Sequence, residues 1–255
     1  MLPYPPLFLM GQGSGSTDLR SYDEIGCEFL SYFRRFGALE SGHRVLEIGS
    51  GSGRMARAIA GCLGTQGHYD GLDVLEEQIL WCRENITPVF PNFRFHFLNV
   101  QNGAYNADGI IDPKDLRLPF DDQSFDFVYL TSVFTHMLPP GLRTYLYEVS
   151  RVLRVGKRCL ITYFLLNEDQ ASLVRNSDNQ PIFTFPHREP GCPYATEDAS
   201  NPENAIAYDE GFLRHLYREA GLSIFGPVLY GAWSGRKNYV SGQDMIVAIK
   251  DAART

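Results

Sequence analysis

Cysteines in this chain come singly. Cys27, Cys62, Cys82, Cys159 and Cys192 are odd in number and include no C-x-x-C pair and no cluster with histidine, which argues against a metal site and a disulfide framework. Four of them, Cys27, Cys62, Cys82 and Cys159, sit among apolar residues where a small buried thiol serves packing, and the expected compartment is a reducing cytoplasm. Basic charge is scarce as well: 23 Lys and Arg against 30 Asp and Glu leave a net charge of -7. A nucleic-acid partner would require a local basic patch that the sequence does not contain, so a small-molecule partner fits better. Apolar runs are short. MLPYPPLFLM at the start is broken by Pro3, Pro5 and Pro6 and carries neither a basic leader nor a cleavage pattern, unlike a signal peptide or a membrane-spanning helix. An extended arm over residues 1–21, a candidate lid, is expected there, and no membrane partner. No internal repeat is found, and the oligomeric state is left open.

The balance of 44% hydrophobic and 21% charged residues over 255 positions suits one α/β domain, here residues 22–255, with room for an insertion. Its densest signal is VLEIGSGSG at Val45–Gly53, a short apolar strand running into Gly49, Gly51 and Gly53. Alternating glycines let the backbone turn tightly and approach a ligand, and RMARAIAGCLG reads as a helix whose amino end faces that ligand. GHYDGLDV then reads as a second strand ending at Asp73. A carboxylate at a strand's carboxyl end can accept hydrogen bonds from both ribose hydroxyls; the alternative is a carboxylate that serves only the following helix dipole.

FRFHFLNV reads as a further strand ending at Asn99 and Val100. The connection QNGAYNADGIIDPKDLR after it is long and rich in Asn, Gly and Asp. LPFDDQSFDFVYLTSVFTHM leads through Phe125 and Asp126 into an apolar, β-branched and aromatic strand, the pattern of a central parallel strand covered on both faces. Thr131 and Ser132 emerge at its carboxyl end. LRTYLYEVSRVLRVGKRCLITYF reads as helix, turn and strand. Periodicity fails over residues 166–207, an insertion without regular pattern, and runs of that length are usually functional. YDEGFLRHLYREAGL resumes as an amphipathic helix, and SIFGPVLYG with DMIVAIK supplies a closing strand pair.

VLEIGSGSG, GLDV, LPFDDQSFDFV and RVLRVG stand in an order and spacing that resembles class I S-adenosylmethionine (SAM) dependent methyltransferases over residues 22–165. The resemblance implies a Rossmann-like seven-stranded, mostly parallel sheet with helices on both faces and an antiparallel carboxyl-terminal edge. It implies SAM as cofactor, with its methionine part held by Glu47, Gly49, Ser50, Gly51 and Gly53, its ribose by Asp73 beside Val74, and its adenine by Asn99 and Val100; Thr131 would lie beside the sulfonium. Two departures stand out: the long connection after Val100, and Lys157 where the family has a second glycine. The implied activity is methyl transfer to a small-molecule acceptor, with O-methylation of a natural-product or sugar-type metabolite favoured, since no N-P-P-Y-like element of amide or adenine N-methylation is present.

Methyl transfer is an in-line displacement that asks mainly for alignment and water exclusion. A hydroxyl acceptor would also need a base, for which His136, just past the strand end, is the best-placed candidate, with helix capping as its alternative; His187 is a lesser one. Phe183, Phe185, Tyr194 and Trp233 either line the acceptor site or pin the insertion. Two rivals remain. A non-catalytic SAM-binding protein would keep the loop and transfer nothing. A nicotinamide-dependent oxidoreductase would need a glycine where Arg54 stands and a Tyr-x-x-x-Lys pair, whereas Tyr163 is followed four residues on by Asn167.

Overall fold

A computed structural model describes residues 2–14, 16 and 18–252; residues 1, 15 and 17 of the expected arm, and 253–255 at the other end of the expected domain, lie outside the described residues. Helices α1 (Leu7–Ser14) and α2 (Leu19–Arg35) lead into β1 (Arg44–Ile48). Strands and helices then alternate through α3 (Arg54–Ala60), β2 (His68–Asp73), α4 (Glu76–Asn85), β3 (Phe93–Phe97), β4 (Phe125–Leu130), α5 (Pro139–Val152) and β5 (Leu153–Tyr163). The rest of the chain forms β6 (Leu165–Leu166), α6 (Glu168–Arg175), β7 (Tyr194–Thr196), β8 (Ile206–Asp209), α7 (Glu210–Glu219), β9 (Leu222–Ile224) and β10 (Asp244–Lys250).

Seven strands make the main sheet in the order β3-β2-β1-β4-β5-β10-β9. β1 to β5 run parallel, and β10 is antiparallel to both β5 and β9, the architecture expected from the motifs. β4 is buried at all six positions, as a strand without polar alternation at the middle of a covered sheet must be. Helical periodicity explains the covering layers. α2 turns Tyr22, Gly26, Phe29 and Phe33 inward, and its amino end is capped by Asp18, whose side chain accepts from the Ser21 N–H at 2.9 Å. α5 opens on Pro139, where a missing N–H costs nothing, and buries Leu142, Tyr145, Leu146, Val149 and Val152. Leu46 and Ile48 of β1 join a core on one face of the sheet and Val45 joins a core on the other.

Register decides where ligands can bind. Ile48 stands opposite Leu72 and Leu130, so β1, β2 and β4 end at one level and deliver the glycine loop, Asp73 and Thr131 to one rim. Chain order reverses at β1, between β2 and β4, and in open α/β sheets the crevice at such a point is the ligand site.

Two expectations are revised. The arm is not simply extended: Pro6 accepts from the Leu9 and Met10 N–H groups, so the prolines precede α1 rather than interrupt it. Leu9 and Met10 are buried, while Arg57 holds the chain before them, donating to the Leu2 carbonyl at 2.9 Å and the Pro3 carbonyl at 2.7 Å with its guanidinium 4.0 Å from the Tyr4 ring. The 166–207 insertion is also structured. β6, β8 and β7 form a three-stranded sheet, and Phe164, Phe185, Ala195, Ala205, Ala207 and Trp233 form a separate small core. Its strands, two to four residues long, are too brief for periodicity to announce them. Buried Asp244 ties this unit to β10, accepting from the Leu165 and Gly231 N–H groups, each at 2.7 Å, and from Trp233 Nε1 at 2.7 Å.

Candidate active site

A cavity of about 300 Å³ opens at the rim where β1, β2 and β4 end. Its floor is the glycine loop. Gly49 and Gly51 have left-handed φ of 84° and 51°, and a Cβ at Gly49 would stand 2.3 Å from Val133 Cγ2, so glycine there answers both a conformational and a steric demand. Ser50 also lines the cavity, and its hydroxyl is buried without a hydrogen-bond partner among the described residues.

Glu47 enters the cavity wall from the end of β1. Its carboxylate accepts from the Tyr69 hydroxyl on β2 and, at 2.9 Å, from the Tyr129 hydroxyl on β4. Burial raises its pKa to about 7 against the help of both phenols. Asp73 closes the next side. One of its oxygens accepts from the Gly51 N–H at 2.6 Å and the other from the Leu75 N–H at 2.9 Å, which leaves further lone pairs on both oxygens. Asp73 therefore holds the loop in shape from the strand beside it, a link that no sequence spacing announces. Burial raises its pKa as well.

Val74, Val100 and Thr131 line the same cavity, as does His136. Gly53 and Asn99 do not. Gly53 starts α3 with a φ of 83° and backs onto Ile86 and Cys82. Asn99 turns into the 101–112 connection, where its side-chain oxygen accepts from Asn106 Nδ2 at 3.2 Å and its carbonyl accepts from the Ile110 and Ile111 N–H groups. The lining beyond Val100 comes from Gln101, Asn102 and Tyr105. His187 is not among the lining residues; its backbone pairs with Thr196 inside the insertion. Phe183, Phe185 and Trp233 cluster with Phe164, with ring centroids 4.9–5.5 Å from it, and none of them, nor Tyr194, lines the cavity.

His136 occupies a single-turn helix, Phe134–His136, after β4. Its Nδ1 lies 3.0 Å from the Glu203 carbonyl, which can only accept, so Nδ1 carries the proton and Nε2 is left with its lone pair. Nε2 is 3.4 Å from the Tyr105 hydroxyl, and the Tyr105 ring stands edge-on at 5.1 Å. Burial lowers the pKa of this imidazole below the usual histidine value, favouring the neutral ring.

Several lining residues were not among the expected cofactor contacts. Gly11 and Gln12 of α1 roof the cavity, Arg54 stands at its edge, and Tyr145 reaches in from α5. Ser132 has a left-handed φ of 60° without being glycine. The strain is supported by its N–H donating to Thr162 Oγ1 at 2.7 Å and its hydroxyl accepting from Gln243 Nε2 at 2.9 Å.

The family model of the methyltransferase domain matches residues 45–156, which hold the glycine loop, Asp73, Thr131 and His136. The O-methyltransferase cnsE of Penicillium expansum is 30% identical over 120 residues, covering 47% of this chain. The match spans only 37% of that protein's length. A SAM-dependent methyltransferase of Aquifex aeolicus shares the fold with a TM-score of 0.51 at 18% identity, over 92% of this chain and 99% of that one. The PH0226 protein of Pyrococcus horikoshii does so with a TM-score of 0.60 at 16% identity, over 95% and 96%. Residues 45–156 are thus similar to the methyltransferase domain, and the sheet order is the fold shared with the Aquifex aeolicus enzyme. The residues present fit SAM: a glycine cradle at Gly49 and Gly51, a buried hydroxyl at Ser50 without a partner among the described residues, and acceptors at Glu47 and Asp73.

Proposed function

We propose that this protein transfers a methyl group from SAM to a hydroxyl of a small-molecule acceptor, with His136 as the general base. The observation that carries the reading is the state of His136. Its Nδ1–H is committed to the Glu203 carbonyl, so a neutral Nε2 can take a proton inside the cavity that the glycine loop lines. An O-methyltransferase among the similar proteins supports a hydroxyl acceptor.

When bound, SAM supplies an electrophilic methyl group on a sulfonium. Gly49, Ser50 and Gly51 would hold its methionine part, with Glu47 receiving the ammonium. Asp73, kept in place by the Gly51 and Leu75 N–H groups, would accept from the ribose hydroxyls. Val74 and Val100, together with Leu98 and Gln101, would enclose the adenine, and Thr131 would border the reacting centre. Gly53 and Asn99 would act through the backbone, one starting α3 and the other anchoring the 101–112 connection. α1 would serve as the lid, since Gly11 and Gln12 close the cavity and Arg57 fastens the segment before them.

Methyl transfer from tritiated SAM to a panel of simple phenols and alcohols tests the reading. The His136→Gln variant should lose a factor of roughly 10² to 10⁴ in kcat while SAM affinity stays within twofold. An unchanged kcat would remove His136 as the base, and SAM binding without transfer to any acceptor would favour a non-catalytic SAM-binding protein.

A further inference from the structure

The insertion core lies apart from the cavity, yet one residue of the insertion reaches the site. Glu203, in the single-turn helix Pro202–Asn204, makes three contacts there. Its carbonyl accepts from His136 Nδ1 at 3.0 Å. One carboxylate oxygen accepts from Asn102 Nδ2 at 3.0 Å and the other from the Gly103 N–H at 2.5 Å. Asn102 completes a closed circuit, because its Nδ2 also donates to the His136 carbonyl at 2.7 Å. Its Oδ1 accepts from the Ala104 and Tyr105 N–H groups, each at 3.1 Å, shaping the turn that carries the Tyr105 phenol over Nε2.

We infer that Glu203 is a positioning residue for the acceptor half of the site: its carboxylate, clamped to the 101–112 connection, holds in place both the turn whose carbonyl fixes the tautomer and rotation of His136 and the Tyr105 ring that faces the base, so that losing the carboxylate lets that carbonyl drift from Nδ1. The inference rests on the reading of His136 as the base. Both halves follow from donor and acceptor identity. A carbonyl facing Nδ1 admits only one neutral tautomer. A carboxylate is the one side chain of this length with two acceptor oxygens for two donors on one turn. Gly103 is suited to the contact, since a Cβ there would stand 2.9 Å from the Glu203 carboxylate. The long connection after Val100 and the 166–207 insertion thus meet at one residue beside the proposed base.

Because ring-nitrogen chemical shifts report the histidine tautomer directly, the deciding experiment is nitrogen NMR on protein labelled with ¹⁵N-histidine. His136 is assigned by its loss in the His136→Gln variant, and wild type is compared with Glu203→Ala and Glu203→Gln. Wild type should show His136 as the Nδ1–H tautomer. E203A should show a mixture with Nε2–H, and E203Q, which keeps one acceptor and the side-chain size, should fall between. Cooperative thermal unfolding within a few degrees of wild type should be kept in both variants, which verifies the fold. Phenol methylation by E203A should fall roughly ten- to hundredfold, the scale of a misplaced catalytic group, with partial recovery in E203Q. An unchanged His136 spectrum in E203A overturns the inference, whatever the activity. A shifted spectrum with undiminished methylation upholds the clamp and removes His136 as the base.

Discussion

Glu47 carries the sharpest quantitative expectation. It is 1% exposed and its pKa is raised from 4.5 to about 7, chiefly by burial, so ionising it costs the folded state about 3 kcal/mol at about 1.36 kcal/mol per pKa unit. The sign follows from linkage. Below pH 4.5 the group is protonated in both states and costs nothing. Between pH 4.5 and 7 the unfolded chain ionises first and the fold loses stability, and above pH 7 the loss is complete. Glutamine at this position keeps an oxygen for the Tyr69 and Tyr129 hydroxyls and never ionises. Glu47→Gln should therefore stabilise the protein by about 1–3 kcal/mol at pH 8 and by about 1 kcal/mol or less at pH 5, while weakening SAM binding at pH 8. Urea unfolding of wild type and variant at the two pH values measures the difference. A stability difference that is the same at pH 5 and pH 8, or a destabilised variant at pH 8, would refute the reasoning.

Other parts of the site give expectations of their own. Asp73→Ala should weaken SAM binding by about 1–3 kcal/mol through lost ribose hydrogen bonds and a loosened Gly51 turn, read by calorimetry; unchanged affinity would remove Asp73 from the site. Gly49→Ala meets both a left-handed φ, costing about 1–2 kcal/mol, and a clash with Val133. It should therefore lower the unfolding midpoint, with Val133→Ala restoring only the part due to the clash. Arg57→Ala should free the segment before α1 and speed SAM dissociation about tenfold, measured by stopped-flow fluorescence, given roughly 1 kcal/mol for each lost contact.

Local rules made much of this molecule readable. The glycine loop is legible because its three positions are left-handed and two of them, Gly49 and Gly53, are also crowded, which favours glycine, and β4 because an unbroken apolar run has one place in a covered sheet. Asp73 and His136 are legible because a strand's carboxyl end predicts the rim. The Asn99 position shows the limit. Its strand end is readable, but the Asn-rich connection folds back on it through Asn106 and moves the cavity wall to Gln101 and Asn102. Glu203 is 67 residues from His136 and Gln243 is 111 from Ser132; contacts of that separation leave no periodicity or spacing. The prolines before α1 misdirected the reading in another way, by marking the start of a helix in a segment that composition alone suggested was extended.

Isothermal titration with SAM, with its demethylated product S-adenosylhomocysteine and with NAD tests the central claim most directly. Binding of the first two, weakened by Asp73→Ala, with no heat from NAD is the expected result. Binding of NAD alone, or SAM binding indifferent to Asp73 and Gly49 substitutions, would contradict the account of this cavity.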